Sequence, residues 1–332
     1  MNKLLTDPNK KLKTLASCEA IAPSSTANLG PGFDVFGLSL DLFHDKVIAR
    51  KYESTNGKIN ISVSNPNSNF RIPTEVKSNS AGLAVSKMCS EAGIKNDIEL
   101  SVFKAIPPGY GLGSSAASAA AAVVAINHLF DVGCSEKKLI EFAAEGEIAS
   151  AGTRHYDNVA ASLLGGFVII KSAPNLDFIR IEAPNDLAFV LAIPNLPVPE
   201  RKTEIARSVL PNTVPLRNVT HNVAAASFVV SGFLLKDIEL IAKGMDDIIV
   251  EPARKGLVKG FDKVKEYALS QGALAVTISG AGPSIIALAD ADDKSRLKIA
   301  DAMKRGFLDS GIDGETYLCR PAAGAKIVSK AF

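Results

Sequence analysis

The sequence has few of the features that mark specialised classes of protein. Its four cysteines, Cys18, Cys89, Cys134 and Cys319, lie far apart and form no C-x-x-C pair, which argues against a zinc site or a disulfide framework and favours a reducing cytoplasm. The longest nearly apolar stretch, residues 116–126, falls well short of the ~20 residues that span a bilayer, so we expect no membrane helix. The lysine-rich start of the chain has no continuous apolar segment, and we expect no secretory signal either.

An excess of charge of one sign is also missing. Lys plus Arg number 37 and Asp plus Glu 35, which leaves a net charge of +2 and gives no general electrostatic reason to expect nucleic acid or an anionic membrane as a partner. The composition, 47% hydrophobic and 22% charged, is that of an ordinary globular protein. At roughly 100 to 200 residues per domain, the length of 332 residues favours two domains. Any anion that this chain binds must therefore be held by a local arrangement of residues.

Periodicity and turn residues predict a mixture of helices and strands. Strands over 47–52 and 58–63 are expected to form a hairpin through Asn56-Gly57, a dipeptide that tolerates the positive φ angles of a tight turn. Asn79 or Ser80 is expected to cap a helix that stops at Gly93. Prolines punctuate residues 194–215, which we interpret as a substrate-side loop region with a helix inside it. Further strands are predicted over 98–103, 167–170, 188–193 and 274–278, and further helices over 115–130, 135–150, 222–235, 238–249 and 261–271.

Glycine and small polar residues concentrate in three segments. These are ANLGPGFD over 27–34, GYGLGSSAA over 109–117 and SGAGPS over 279–284. Glycine allows close backbone approach and positive φ, so each segment taken alone is compatible with a tight turn. For the first and third segments, the local sequence leaves that alternative open.

The middle segment leads directly into the predicted helix 115–130. Unpaired backbone N–H groups and the partial positive charge of the helix start converge there, an arrangement typical of a phosphate-sized anion site. The segment is not a Walker A loop, because no lysine follows the glycine. It also departs from the dinucleotide spacing G-x-G-x-x-G, because its third glycine is Gly113 rather than residue 114. The pattern therefore favours phosphate binding and disfavours a nicotinamide dehydrogenase.

In this order and at these distances, the three segments resemble the motifs of the GHMP kinase superfamily, and most closely those of its homoserine kinase family. PSSTANLGPGFDVFGLSLD (23–41), PPGYGLGSSAA (107–117) and SGAGPS are similar to three superfamily motifs. EGEIASAGTRHYDNVAASLLGG (145–166) and EPARKGLVKGF (251–261) resemble segments particular to homoserine kinases. One departure is Tyr156, where many relatives carry proline.

The resemblance implies an α+β protein with the two-domain GHMP kinase fold. Residues 1–170 are expected to form the ATP-binding domain, similar to the second domain of ribosomal protein S5. Residues 171–332 are expected to form a ferredoxin-like C-terminal domain, with the site between the two. The implied activity is transfer of the γ-phosphoryl group of ATP to the side-chain hydroxyl of L-homoserine in threonine biosynthesis. Mg²⁺, a cytoplasmic location and a homodimer are implied by the same resemblance.

The resemblance also assigns a loop for the triphosphate and a metal pair. Ser115 and Glu147 are expected to bind Mg²⁺, an oxygen-only set that suits a hard cation. Glu145 is a competing choice two residues away, and a solvated helix face is the alternative for either glutamate. The triphosphate loop consists of Pro107, Pro108, Gly109, Tyr110, Gly111, Leu112, Gly113, Ser114, Ser115, Ala116 and Ala117.

A zwitterionic substrate with a hydroxyl needs an anion, one or two guanidinium groups and a neutral polar group in its pocket. Arg207 and Arg254 match the carboxylate-binding positions of the family, and Asn28 and Asp34 match those near the hydroxyl and amine. Outside the family frame, both arginines would be ordinary surface cations and His155 a turn histidine. The full expected substrate set is Asn28, Asp34, His155, Thr203, Arg207, Arg254 and Gly280, with Gly280 approaching through its backbone.

The acceptor of the hydroxyl proton is less defined by sequence. Asn158 occupies the position near the hydroxyl, and an amide cannot act as a base. We therefore hypothesise that the proton leaves to the γ-phosphate or to solvent, with Asn28 and Asn158 as the catalytic residues that orient the hydroxyl. A base role for Asp34 is the alternative.

Two rival functions differ from a homoserine kinase. Another GHMP kinase would act on mevalonate, a sugar or shikimate, but the combination of Asp34, Arg207 and Arg254 favours an amino acid. A nucleotide-binding protein without catalysis would retain ATP affinity alone, and the presence of both Ser115 and Glu147 argues against it.

Overall fold

The structure is a computed structural model that describes residues 14–66, 70–199, 201–290 and 292–331. The lysine-rich start of the chain lies outside the described residues. The strands are β1 (Thr14–Asn28), β2 (Gly32–Tyr52), β3 (Ile59–Ser64), β4 (Ile98–Phe103), β5 (Phe167–Lys171), β6 (Asp177–Ile181), β7 (Ala188–Pro194), β8 (Ala275–Ile278), β9 (Ile285–Ala289), β10 (Gly314–Cys319) and β11 (Lys326–Ala331). The helices are α1 (Ser80–Ala92), α2 (Ser114–Leu129), α3 (Glu136–Ala151), α4 (Tyr156–Leu164), α5 (Lys202–Ser208), α6 (Leu216–Leu235), α7 (Ile238–Gly244), α8 (Val250–Arg254), α9 (Phe261–Ser270) and α10 (Asp293–Leu308).

The first sheet is built on the long antiparallel pair β1 and β2. Its order is β11-β1-β2-β4-β3, and β5 pairs with both β2 and β6. Helix α2 packs on the centre of this sheet, against β1 and β2. Ala119, Ala120, Ala121 and Ala122 are fully buried, and such small side chains let the helix backbone approach the strands closely.

The second sheet is antiparallel, with the order β10-β7-β9-β8. Helices α9 and α10 pack together and cover it, and its core includes Phe261, Ile285 and Phe307. In chain order these strands are 4-1-3-2, the arrangement of a ferredoxin-like unit. The α+β class with two sheet-and-helix units is confirmed. The division at residue 170 stays a prediction, and β6 and β11 lie in the first sheet.

The helices predicted from local caps are confirmed. The Asn79 side chain accepts a hydrogen bond from the Gly82 amide at the start of α1, and the left-handed Gly93 ends that helix. The predicted helix over 238–249 is wrong in its length, because α7 ends at Gly244 and a new helix, α8, begins at Val250. Asp247 causes the break, since its carboxylate accepts the amides of Ile249 and Val250.

The predicted hairpin through Asn56-Gly57 is wrong. Gly57 does take a positive φ of 70°, but β3 pairs in parallel with β4, and β4 pairs with β2. Strand β4 therefore lies between the two strands that the turn connects. The local sequence identified the turn. It did not show that β4, which begins at Ile98, would insert between β2 and β3.

Helix α6 has an uncovered apolar side. Of the described residues, only its 20-residue span is long and apolar enough to cross a membrane by length and composition, and 17% of the apolar window is buried. A helix over 222–235 was predicted, but its apolar character was not. Its inner side packs in the protein core, where Phe233 stacks on Phe167 with ring centroids 3.9 Å apart.

A buried ion pair joins the first sheet to the start of α2. Lys104 follows β4 and contacts Asp45 of β2, and both are nearly inaccessible to solvent. Asp45 also accepts the backbone amides of Ala105 and Ile106 at 3.0 and 3.1 Å. Lys104 further donates to the Ser114 carbonyl at 2.6 Å. The pair thus fixes the segment between β4 and the middle glycine segment.

Replacing one member of this pair should destabilise the protein more than replacing both. Asp45→Asn leaves the Lys104 ammonium buried without a counter-charge, and we expect a loss of about 3–5 kcal/mol in the free energy of unfolding. The double variant Asp45→Asn/Lys104→Met removes the orphaned charge and should recover part of that loss. Urea denaturation of the three proteins measures this, and a double variant as unstable as the single one would contradict it.

Candidate active site

The three glycine segments meet at one place through backbone contacts. The Ser25 amide donates to the Leu112 carbonyl at 3.1 Å, and the Gly280 amide to the Ala27 carbonyl at 3.2 Å. The Ser279 hydroxyl donates to the Gly111 carbonyl at 2.9 Å. The three segments therefore enclose a common cavity of about 420 Å³.

The middle segment forms a loop of left-handed glycines before α2. Gly109, Gly111 and Gly113 have φ angles of 85°, 78° and 65°, which side chains rarely tolerate. A Cβ at Gly111 would overlap the Ser279 carbonyl, and one at Gly113 the Ser25 hydroxyl. Glycine is thus required at both positions by the neighbouring segments.

Part of the predicted triphosphate loop lines the cavity. The lining residues are Pro108, Gly109, Gly111, Leu112, Gly113, Ser114 and Ser115. Pro107, Tyr110, Ala116 and Ala117 are not among them. The Tyr110 hydroxyl instead donates to the Leu196 carbonyl at 2.8 Å, and both alanines are fully buried in α2.

Glu147 presents an unsatisfied carboxylate to the cavity. It is 6% exposed, and its Oε1 has no hydrogen-bond partner. Burial raises the pKa of Glu147 to about 7, and a hydrogen bond with Ser115 opposes that rise. A buried carboxylate oxygen without a partner, beside a serine hydroxyl, fits a hard divalent cation.

Glu145, the competing choice, points elsewhere. Its carboxylate pairs with Arg154 at 2.7 Å, and it is not among the residues that line the cavity. Residues two apart on a helix lie on nearly opposite faces, so only one of the two glutamates can face the cavity. The structure places Glu147 there.

Asp157 is a cavity residue that the sequence analysis missed. It is 4% exposed, and burial together with the nearby Asp34 charge raises its pKa to about 6. Its Oδ1 accepts the Asn158 amide at 2.7 Å. The signal was present, because Asp157 lies between His155 and Asn158 in the family segment.

Two arginines give part of the cavity lining a cationic character. The Arg207 guanidinium donates to both oxygens of Asp34, at 2.7 and 2.8 Å, and lies 3.1 Å from Nδ1 of His155. Burial, and then the Arg207 charge, lower the pKa of His155 and so favour the neutral form of its ring. The Arg207 Nε is buried without a partner.

Arg254 is buried beside this group. It donates to the Ala206 carbonyl at 3.0 Å and the Gly280 carbonyl at 3.3 Å, and its pKa is lowered by burial and then by Arg207. The Phe33 ring contacts both guanidiniums, at 5.2 Å from Arg207 and 4.9 Å from Arg254. An aromatic ring contributes favourable cation–π contacts to two like charges, and Phe33 was not predicted as a site residue.

The predicted polar residues near the hydroxyl are held by the glycine segments. Asn28 Nδ2 donates to the Gly280 carbonyl at 2.8 Å, and Asn158 Oδ1 accepts from the Ser25 hydroxyl at 3.0 Å. Thr203 on α5 also lines the cavity. The structure therefore brings all seven predicted substrate residues, with Asn158, to one cavity. Their roles toward a ligand stay predictions.

The chain is similar to known proteins over most of its length. The family models described as GHMP kinases N terminal domain and GHMP kinases C terminal match residues 79–166 and 229–308. The chain is similar to the homoserine kinase of Thermoplasma volcanium, at 42% identity over 81% of this chain and 84% of that relative. It is similar to the homoserine kinase of Thermoplasma acidophilum at 38% identity over 92% and 95% of the two chains. The crystal structure of homoserine kinase from Cytophaga hutchinsonii matches with a TM-score of 0.86 and 36% identity, over 98% of this chain and all of that one.

Removing the buried charge at Glu147 should stabilise the ligand-free protein. The pKa of Glu147 is about 7 when folded, against 4.5 for the ordinary group, so the folded state resists the ionisation that the unfolded state accepts. Relative to Glu147→Gln, the wild type should lose stability as the pH rises from about 4.5 to about 7, by on the order of 3 kcal/mol.

Denaturation with a chelator present, at about pH 4 and about pH 8, measures this difference. Glu145→Gln, on the same helix but outside the cavity, is the matched control and should gain no stability. Equal stability of wild type and Glu147→Gln at the higher pH would contradict the expectation.

Proposed function

This chain belongs to the homoserine kinase family of the GHMP kinases, and we propose that it phosphorylates the side-chain hydroxyl of L-homoserine with ATP. It is a small-molecule kinase, and its place in metabolism is threonine biosynthesis. The observation that carries the substrate assignment is that two features line one cavity. These features are the glycine loop at a helix start and the group formed by Arg207, Arg254 and Asp34.

The glycine loop is suited to the triphosphate of ATP. Gly113 immediately precedes α2 and makes no side-chain cap, so the first amides of that helix are available to an anion, and the helix dipole favours negative charge there. Lys104, which is paired with Asp45, donates to the Ser114 carbonyl and so fixes the first turn of the helix beside the loop. Ile72, Pro73 and Val102 give the cavity an apolar wall suited to a flat base.

Ser115 and Glu147 would hold Mg²⁺. The donor set is oxygen only, and the unpartnered Glu147 Oε1 is the atom that a cation would satisfy. When bound, Mg²⁺ would neutralise charge on the phosphate oxygens. It would also remove the reason for the raised pKa of Glu147, because a nearby cation favours the ionised carboxylate.

The group formed by Arg207, Arg254 and Asp34 is suited to an amino acid in its zwitterionic form. In the ligand-free protein, Arg207 and Asp34 satisfy each other, with side chains 32% and 43% exposed. We infer that the substrate carboxylate takes a place between Arg207 and Arg254, and that its ammonium pairs with Asp34. Mevalonate and shikimate offer no ammonium for Asp34, and a neutral sugar offers no carboxylate for the arginines.

The hydroxyl is oriented by Asn28 and Asn158, whose side chains are fixed by the Gly280 carbonyl and the Ser25 hydroxyl. In phosphoryl transfer the protein mainly positions groups and stabilises charge. Asp157, the neighbour of Asn158, also lines the cavity. Its pKa of about 6 makes it, besides Asp34, a second carboxylate able to accept the hydroxyl proton. The proton otherwise leaves to the transferred phosphoryl group or to solvent.

We also propose a homodimer whose contact is the apolar face of α6. This face consists of Leu216, Val219, Val223, Phe228, Leu234 and Leu235, with Leu216 79% and Leu235 72% exposed. Residues 218–235 contain no Asp, Glu, Lys or Arg, and an exposed apolar stripe of this extent is typical of an interface. A second copy is favoured over a membrane because the opposite side of α6 is packed in the core.

The four free cysteines, three of them buried, are consistent with the reducing cytoplasm that we propose as the location.

Turnover should be specific for the amino acid and depend on Arg254. Coupled ADP release would be measured with ATP, Mg²⁺ and each of L-homoserine, L-serine, mevalonate, galactose and shikimate. We expect turnover with L-homoserine alone, and a loss of about a hundredfold or more in kcat/KM for Arg254→Leu, from the lost charge-assisted hydrogen bonds to the carboxylate.

Arg254→Lys retains a cation and tests whether the fold tolerates a change at this buried position. The Michaelis constant for ATP should stay within about twofold of the wild-type value if the glycine loop is intact. Turnover with another alcohol would agree with a GHMP kinase but refute L-homoserine as the substrate. ATP binding without any turnover would indicate a kinase that has lost catalysis.

Charges on the apolar face of α6 should produce monomers. Val223→Glu/Leu234→Glu places two carboxylates in the proposed contact, where burial of unpaired charge is costly, so the mass in solution should fall to that of one chain. Leu297→Glu, at a 54% exposed position of α10, is the matched control and should leave the mass unchanged. Light scattering after gel filtration measures this, and a monomeric wild type, or one that binds vesicles, would refute the homodimer.

A further inference from the structure

Lys202 contributes a cation to the cavity from the start of α5. It is the first residue of α5, and the preceding Arg201 has a left-handed φ of 56°, which turns the chain sharply into the helix. The Lys202 ammonium donates to the Gly282 carbonyl in the third glycine segment. Its side chain lines the same cavity as the glycine loop and the two arginines.

This ammonium has no carboxylate partner among the ion pairs of the residues that the structure describes. Lys104, the other lysine that lines the cavity, is neutralised by Asp45. Burial, and then the Arg254 charge, lower the pKa of Lys202 to about 7. A desolvated cation that is met only by a carbonyl is costly to the protein alone, and an anionic ligand would offset that cost.

The contact with the Gly282 carbonyl locates Lys202 relative to the glycine loop and to Arg254. A Cβ on Gly111 of the glycine loop would lie 2.8 Å from that carbonyl oxygen, so the contact made by Lys202 borders the loop. Arg254 reaches the Gly280 carbonyl, two residues away, at 3.3 Å. Lys202 therefore contacts a turn that borders both the loop assigned to the triphosphate and the arginine assigned to the carboxylate.

We propose that Lys202 binds the phosphoryl group itself, at the point where it passes from ATP to the hydroxyl. The inference rests on the proposed function and adds a residue to it. The ammonium exchanges the Gly282 carbonyl for phosphoryl oxygens, first on the γ-phosphate and then on the product. The bond from phosphorus to the substrate oxygen forms as the bond to the β,γ-bridging oxygen breaks, and ADP leaves with that electron pair.

In this role Lys202 neither gives nor takes the reacting proton. The hydroxyl proton leaves to the transferred phosphoryl group, to a cavity carboxylate or to solvent, as described above. Lys202 contributes charge and a hydrogen bond to oxygens whose negative charge spreads during transfer. Lys202 should therefore contribute to the affinity for the product O-phospho-L-homoserine and not to the affinity for the substrate L-homoserine.

The test compares the affinities of these two amino acids by calorimetry, without ATP or metal. Lys202→Gln retains a donor for the Gly282 carbonyl and loses the charge. We expect its dissociation constant for O-phospho-L-homoserine to rise about tenfold to a hundredfold, the effect of one charge-assisted hydrogen bond. Its dissociation constant for L-homoserine should change by less than about twofold. Lys202→Arg should recover most of the product affinity.

Lys243→Met, a change at an exposed lysine of α7, is the matched control and should alter neither affinity. If Lys202→Gln binds both amino acids as the wild type does, or weakens both equally, the inference is overturned, and the second result would assign Lys202 to the carboxylate pocket. The proposed function fails separately, if wild-type protein shows no turnover with L-homoserine. Melting temperatures of Lys202→Gln and Lys202→Arg verify that each variant is folded before binding is measured.

Discussion

The structure depends on the close approach of the backbone around Gly111 to the turn formed by residues 279–282. That contact is possible because Gly111 carries no side chain, and a single methyl group there would overlap the carbonyl oxygen of Ser279. Through it, a loop on the first sheet touches a turn between two strands of the second. The cavity exists because the two sheets are held at this separation, and each of its walls comes from a different part of the chain.

The cavity walls hold polar groups that the protein leaves incompletely satisfied. Glu147 Oε1 and Arg207 Nε lack hydrogen-bond partners. The Lys202 ammonium donates to the Gly282 carbonyl, which carries no charge to neutralise it. Buried polar atoms are normally paired, and each exception needs an explanation. Here the exceptions divide by sign. The unsatisfied anion lies beside Ser115 at the helix start that follows the glycine loop. Of the cations, Lys202 contacts the third glycine segment and Arg207 contacts Asp34 of the first. A metal nucleotide and a phosphorylated amino acid would satisfy them together.

The sequence was informative where a structure is decided by neighbours along the chain. Asn79 and Gly93 defined α1 to within a residue, because a cap and a left-handed stop act over a few positions. It was misleading where distant segments compete, as when β4 came between β2 and β3. The same distinction holds in the site. Motif resemblance identified Arg207 and Arg254, but Phe33 and Lys202 became visible only through partners more than seventy residues away.

The strand order of the first sheet has a consequence for how the molecule is made. Strand β11 pairs with β1 from Ser17 to Ile21, although almost the whole chain separates the two in sequence. On a ribosome, the outer edge of β1 must remain open until nearly every other residue has been synthesised, and an open strand edge is a template for pairing with other chains. The first sheet, although β1 and β2 are encoded first, is therefore among the last parts of the molecule to be completed.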